Sequence, residues 1–300
     1  MTPIHRREFI RAGSAALLAS PFSRTAAAHG RDRMASKKEV PLRSKYAVNV
    51  EMWWTGQDFM DRIKSAAKAG FPAIEFWGTD GKDLKKIRAL CDELKLDIAQ
   101  FTAWGFEPGM NDPANHVLLE EKIREACENA RTLRCSLATV VGGNDQPGMT
   151  QETMHQNIIN GLKRVAPIVE DSGLTLILEP MNIRVDHKGH CLYGSTPAVR
   201  ICKEVGSPNV RINWDLYHMH ITEGDLCGHL REGIGQIGYI QVADHPGRHE
   251  PGTGEINYGR VLKEIRDLGY TGYIGLECNP TEPARAWERI QEADRWEAAM

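Results

Sequence analysis

Eight short apolar runs alternate with eight amphipathic ones from Tyr46 to the C-terminus, and this alternation constrains the fold more than any other feature. The apolar runs read as strands over Ala47–Val50, Ala73–Trp77, Asp97–Thr102, Leu137–Val141, Thr175–Leu178, Val210–Asn213, Tyr239–Ala243 and Tyr273–Leu276. Between and after them, 3.6-residue periodicity predicts helices over Asp58–Ala69, Lys82–Leu94, Asn115–Leu133, Gln151–Asp171, Pro197–Val205, Asp225–Gly233, Tyr258–Leu268 and Pro283–Ala298. Gly70, Gly173, Gly206 and Gly269 stand at the predicted helix ends, where a left-handed residue stops a helix. Strands joined through helices must run parallel, so the pattern predicts an α/β fold, a (β/α)₈ TIM barrel over residues 45–300. The rival, an open doubly wound sheet, is weakened because no G-x-G-x-x-G follows a strand.

The N-terminal region reads as an address. His5–Arg11 is HRREFIR, followed by the weakly apolar Ala12–Leu18 and the small residues Ala26–Ala28. This is a twin-arginine signal pattern over residues 1–28, with cleavage near Ala28 and a periplasmic or secreted destination. The apolar part is too short for the roughly 20 residues of a membrane span, so no stable insertion is expected. Residues 29–44, polar and without period, read as a disordered linker.

A net charge of −3 gives no general reason to bind nucleic acid. Seven cysteines, none in a C-x-x-C pair, offer neither a zinc knuckle nor a complete disulfide framework.

In such a barrel, chemistry sits at the C-terminal ends of the strands. Strand five ends at Glu179, strand six at Asp215, strand seven offers Gln241 and strand eight ends at Glu277, at intervals of 36, 26 and 36 residues. Each interval is close to one βα unit, so four oxygen-bearing side chains rise from successive strands toward one point. Three carboxylates meeting in a partly dry cleft repel one another, and a divalent cation resolves that. All-oxygen ligands suit Mg²⁺ or Mn²⁺. Salt bridges to rim Lys or Arg would explain any one of these acids alone.

His218, one turn past Asp215, is placed to hydrogen-bond a substrate oxygen or a carboxylate. Arg248 matches an anionic substrate group through its planar fork, unless Glu250 or Glu255 pairs it at the surface. Arg248 lies in the loop after strand seven, ADHPGRHEPGTGEI, whose density of charged residues and glycines marks a site-forming loop. Asn182, Asp186, His187 and His190 follow strand five toward the rim. Glu75 with Trp53, Trp54, Trp77 and Trp104 reads as an apolar wall opposite the metal, although core packing explains some of these tryptophans equally well.

Leu178–Asn182 (LEPMN), Trp214–Met219 (WDLYHM), Ile240–Tyr258 (IQVADHPGRHEPGTGEINY) and Gly275–Glu277 (GLE) closely resemble the hydroxypyruvate isomerase family of the xylose-isomerase-like barrels. The resemblance covers about residues 46–290, and GRHEPGTGEI is its most specific part. It implies that Glu179, Asp215, Gln241 and Glu277 bind the metal and that Glu179 and Glu277 shuttle a proton through a cis-enediolate. It also implies that His218 and Arg248 contact a small hydroxy-keto acid or sugar, and it is compatible with a homo-oligomer. Gln241 stands where ketose 3-epimerases usually carry His. The segment after Glu179 is one residue longer than the family pattern. Gln100 and Trp104 stand where relatives often have His, the loop before Asn115 is short, and the cytosolic isomerases lack an export signal. A sugar 3-epimerase and a non-catalytic periplasmic sugar-binding protein are the alternative readings.

Overall fold

The computed structural model describes residues 41–296. The signal peptide expected over residues 1–28 lies outside the described residues, as does most of the linker. Residues 43 and 44, read above as linker, are tied down: the Arg43 and Ser44 backbone N–H groups donate to Asp294 Oδ2 at 2.5 and 3.3 Å.

Eight parallel strands close into a barrel in sequence order, the eighth pairing with the first. They are β1 (Lys45–Asn49), β2 (Ala73–Phe76), β3 (Asp97–Trp104) and β4 (Leu137–Val141), then β5 (Thr175–Glu179), β6 (Val210–Asp215), β7 (Ile237–Gln241) and β8 (Tyr273–Leu276). The α-helices are α1 (Phe59–Lys68), α2 (Leu84–Leu94), α3 (His116–Leu133), α4 (Gln151–Ser172), α5 (Ser195–Val205), α6 (Leu216–Thr222), α7 (Leu226–Gly233), α8 (Tyr258–Asp267) and α9 (Pro283–Arg295). None among the described residues is long and apolar enough to cross a membrane.

Strand residues alternate between two environments. One set, including Val48, Ile74, Leu178, Ile212, Ile240 and Leu276, belongs to the large apolar core that also takes in the buried helix faces. The other set faces the barrel interior, where Ala47, Ala73, Ala99, Ile177 and Tyr239 form a smaller cluster. Three alanines in that layer leave the barrel room for the ring of Tyr239. Above it the interior turns polar, with buried Asn49, Glu75, Gln100, Thr139, Asn213 and Gln241.

The sequence reading missed α6. Asp215 ends β6 and caps this helix, accepting from the Tyr217 backbone N–H at 2.8 Å. Strand seven lies two residues earlier than expected, over Ile237–Gln241.

Candidate active site

Glu179, Asp215 and Gln241 are the last residues of β5, β6 and β7, and Glu277 follows β8 directly. All four are buried. Glu179, Gln241 and Glu277 line a cavity of about 280 Å³ together with His218 and Arg248, and Asp215 lies against the last two, 3.5 Å from His218 Nε2 and 3.8 Å from Arg248 Nη2. The lining also includes Trp77, Gly105, Phe106, Val141 and Met181.

The electrostatics are those of crowded, dehydrated acids. Burial, then Glu277 and Asp215, raise the Glu179 carboxyl well above its ordinary value. Burial raises Asp215 to about 7, although Arg248 opposes it. Asp215 Oδ2 is buried without a hydrogen-bond partner, a costly state for a carboxylate oxygen. Arg248 Nη2 donates to Glu277 Oε2 at 2.7 Å and stands 3.8 Å from Asp215 Oδ2. It is the one cationic side chain lining the cavity among the described residues, His aside. Burial alone would loosen its proton, but Glu277, Asp215 and Glu179 outweigh that and raise its pKa.

Three carboxylates against one guanidinium leave two negative charges when all are ionised. That surplus, the orphaned Asp215 oxygen and the hard oxygen donors fit a divalent cation. Glu179, Asp215 and His218 each present an atom within 4.8 Å of the others, close enough to share an ion. Glu277 is more heavily engaged: besides Arg248, Trp77 Nε1 donates to its Oε1 at 2.8 Å. Gln241 Oε1 accepts from Asn213 Nδ2 at 2.6 Å, and its Nε2 donates to Glu75 Oε1 at 2.9 Å. Glu277 Oε1 also accepts from Asn49 Nδ2 at 3.4 Å, whereas Gln241 Oε1 and Glu277 Oε2 each accept one hydrogen bond and keep a further lone pair for a ligand.

Arg248 is held in place by its own loop. Gly247 and Arg248 both have positive φ, 101° and 54°. Asp244 pins the loop, accepting from the backbone N–H groups of His245, Gly252 and Ile256 at 3.0, 2.9 and 3.1 Å. Glu250 is buried on Thr281 and Arg289, and Glu255 pairs with His220 at 2.8 Å. The surface pairing of Arg248 with Glu250 or Glu255 therefore does not occur. The guanidinium turns inward over the Tyr217 ring, and its Nε is buried without a partner.

His218 touches the cluster, its Nε2 lying 3.5 Å from Asp215 Oδ2 and 3.8 Å from Glu179 Oε1. Burial, then Arg248, lower its pKa well below the ordinary value, so the ring is neutral. His187 lines the cavity and stacks on Phe106 with centroids 4.9 Å apart. His190 is buried beside Phe106 with both ring nitrogens unpartnered and its pKa lowered to about 3 by burial. Asp186 accepts from Asn182 Nδ2 at 2.8 Å.

The expected aromatic wall is corrected. Trp77 lines the cavity, but Trp53 and Trp104 are core residues, and Trp54 packs on Trp53 and Phe71. Glu75 is not part of a wall either. It is fully buried, accepting from Tyr239 Oη at 2.6 Å and Asn49 Nδ2 at 3.2 Å as well as from Gln241. Burial, then Glu277, raise it to about 7. Gly275 makes room for it, since a Cβ there would sit 2.3 Å from Glu75 Oε2. Asn49, Asn213 and Tyr239, which connect this network, were not singled out from the sequence. Extending the two-residue period inward from Gln241 and Asp215 would have reached Tyr239 and Asn213.

A model of the xylose isomerase-like TIM barrel family matches residues 63–298. The chain is 30% identical over 252 residues to the hydroxypyruvate isomerase of Escherichia coli, covering 81% of this chain and 97% of the relative. It is 33% identical over 242 residues to a 2-oxo-tetronate isomerase of Cupriavidus necator, covering 79% and 93%. Among solved structures, a protein from Brucella melitensis described as an AP endonuclease of family 2 superposes with a TM-score of 0.76 at 25% identity, covering 84% of this chain and 97% of that one. A 3-keto-D-glucoside 4-epimerase from E. coli superposes at 0.70 with 19% identity, covering 84% and 97%, a likeness of fold.

Proposed function

Because the chain belongs to the hydroxypyruvate isomerase family of the xylose isomerase-like TIM barrels, and is an isomerase, we propose that it interconverts hydroxypyruvate and tartronate semialdehyde with one divalent cation, Mg²⁺ or Mn²⁺. The observation that carries this reading is the meeting of Glu179, Asp215 and Glu277 around a cavity whose cationic side chain is Arg248. Glu179, Asp215, Gln241 and Glu277 would hold the ion. Bound there, it would polarise the substrate carbonyl and acidify the adjacent C–H.

The chain's own groups account for the rest. One of Glu179 and Glu277 takes the proton from C3 of hydroxypyruvate, and the electron pair passes to the carbonyl as the enediolate forms. A proton returned at C2 and the passage of the hydroxyl proton from O3 to O2 complete the aldehyde. Arg248, which lines the cavity, offers its guanidinium to the substrate carboxylate while Nη2 holds Glu277 in place. His218 contacts a substrate oxygen. Phe106, Met181 and Val141 add apolar lining to the cavity, which strengthens the charge interactions within it. A volume of about 280 Å³ lies just under the ~300–1,000 Å³ of common small-molecule sites and suits a compact substrate.

A ketose 3-epimerase would use the same pair of carboxylates. NMR of hydroxypyruvate, 2-oxo-tetronate and ketose epimer pairs with Mg²⁺-loaded protein separates the readings. Conversion of hydroxypyruvate to the aldehyde supports the proposal. Epimerisation of ketoses alone would replace it, and binding without turnover would favour the non-catalytic reading. The twin-arginine pattern supports the further proposal of a periplasmic or secreted location, which signal-dependent recovery outside the cytoplasm tests.

A further inference from the structure

Asn182 is fully buried at the base of the segment that follows β5, and each atom of its side-chain amide has a defined partner. Its Oδ1 accepts from the backbone N–H groups of Val185 and Asp186 at 3.0 and 3.2 Å. Rotating the amide by half a turn would set an NH₂ group against those two donors, so its orientation is fixed by the backbone. The NH₂ group therefore faces Asp186 Oδ2 at 2.8 Å and His218 Nδ1 at 2.7 Å.

An amide N–H directed at Nδ1 requires a lone pair there. A proton on Nδ1 would oppose donor to donor, which excludes both the Nδ1–H tautomer and the imidazolium on geometry alone. The ring proton is then on Nε2, the nitrogen nearest to Asp215 Oδ2 and Glu179 Oε1. Although His218 lies close enough to two carboxylates to share an ion with them, its near nitrogen has no lone pair to give.

We propose that Asn182 is a positioning residue that holds His218 in the Nε2–H tautomer, so that the ring presents a hydrogen-bond donor rather than a metal ligand to the gap between Asp215 and Glu179. The proposal deepens the isomerase reading, which makes that gap the place of reaction. There the donor meets a substrate oxygen as charge develops on it, and the metal keeps an all-oxygen ligand set. The turn closed by the His187 N–H on the Asn182 carbonyl at 3.1 Å keeps the amide from drifting.

The tautomer can be read directly, in the metal-free full-length protein with ¹⁵N-labelled histidine rings. Two-bond ¹H–¹⁵N correlation distinguishes a protonated ring nitrogen from a bare one, and His218→Gln assigns the signals. Wild type is expected to show His218 with Nε2 protonated and Nδ1 bare. Asn182→Asp keeps the acceptor for the two backbone donors but offers His218 a carboxylate oxygen, so Nδ1 should become protonated. With Mg²⁺ restored, kcat of that variant should fall on the order of 10²–10³-fold with KM little changed, the size seen when one aimed donor is lost. Asp186→Ala leaves both backbone donors in place and should keep the wild-type tautomer. A wild-type His218 protonated on Nδ1 would overturn the proposal. So would a switched tautomer in Asp186→Ala, or an unchanged kcat in an Asn182→Asp protein whose tautomer has reversed. If wild type shows the expected tautomer but turns over no keto acid or ketose, the isomerase reading fails while the tautomer assignment stands.

Discussion

Replacing Arg248 with Met tests whether the carboxylates are held apart by charge, because it removes the guanidinium and keeps most of the side-chain volume. Arg248 bonds Glu277 Oε2 at 2.7 Å and stands 3.8 Å from Asp215 Oδ2, while both carboxylates are buried. Breaking a buried pair by removing one partner commonly costs about 3–5 kcal/mol. Without the cation, and without a metal, the cluster must take up one further proton on folding. A glutamate such as Glu179 ordinarily titrates at 4.5. Holding such a group protonated costs about 1.4 kcal/mol for each pH unit above that value, roughly 5 kcal/mol at pH 8 but under about 1 kcal/mol at pH 5. At about 2–4 °C per kcal/mol for a chain of this size, metal-free Arg248→Met should melt roughly 10–20 °C below wild type at pH 8 and within about 4 °C of it at pH 5. Thermal unfolding followed by circular dichroism reads both. Added Mn²⁺ should recover more of the loss at pH 8 than it adds to wild type. An equal loss at both pH values, with no extra recovery by Mn²⁺, would refute the electrostatic account and leave lost packing as the cause.

Other outcomes follow from the same geometry. Glu75 and Asp215, raised to about 7, and Glu179, also raised, bind protons in the folded protein that the unfolded chain has released. Their contribution is complete below their ordinary values of 4.5 and 3.8 and is lost as pH rises toward and through 7. Metal-free wild type should therefore melt lower at pH 8 than at pH 5, and a melting temperature that rises over this range would contradict the assignment. Gly275→Ala drives a Cβ into Glu75 Oε2 and the Tyr239 hydroxyl, and overpacking of this kind costs about 1–3 kcal/mol. Chemical denaturation should show that loss, and unchanged stability would mean that Glu75 is free to move. Dialysis against a chelator should abolish turnover, with Mg²⁺ or Mn²⁺ restoring it. Turnover that survives metal removal would exclude the cation.

The barrel was legible because each βα unit repeats one pattern, and the four candidate ligands because their spacing matches that repeat. Strand ends were less so. A strand buried on both faces reads as one apolar run, so nothing within Ile237–Ala243 fixes where β7 stops. Helix α6 was missed because Asp215 was read as a ligand and not also as a helix cap. The inward turn of Arg248 depends on acids 29 and 33 positions away in sequence, which only barrel closure brings within reach. The same holds for Glu75, joined to Gln241 and Tyr239 across 166 and 164 positions. Tryptophans near strand ends could not be sorted into core and cavity, because an indole packs equally well in either.

The most direct test follows loss of the C3 proton of hydroxypyruvate in D₂O by NMR, comparing Mn²⁺-loaded wild type, chelator-treated wild type and Mn²⁺-loaded Glu277→Gln after the ion is removed for detection. Exchange should be fast in the first and absent in the other two, with the variant retaining the wild-type circular dichroism spectrum. Exchange at the wild-type rate in folded Glu277→Gln, or in the chelator-treated enzyme, would contradict the claim that these carboxylates and their cation labilise the carbon acid.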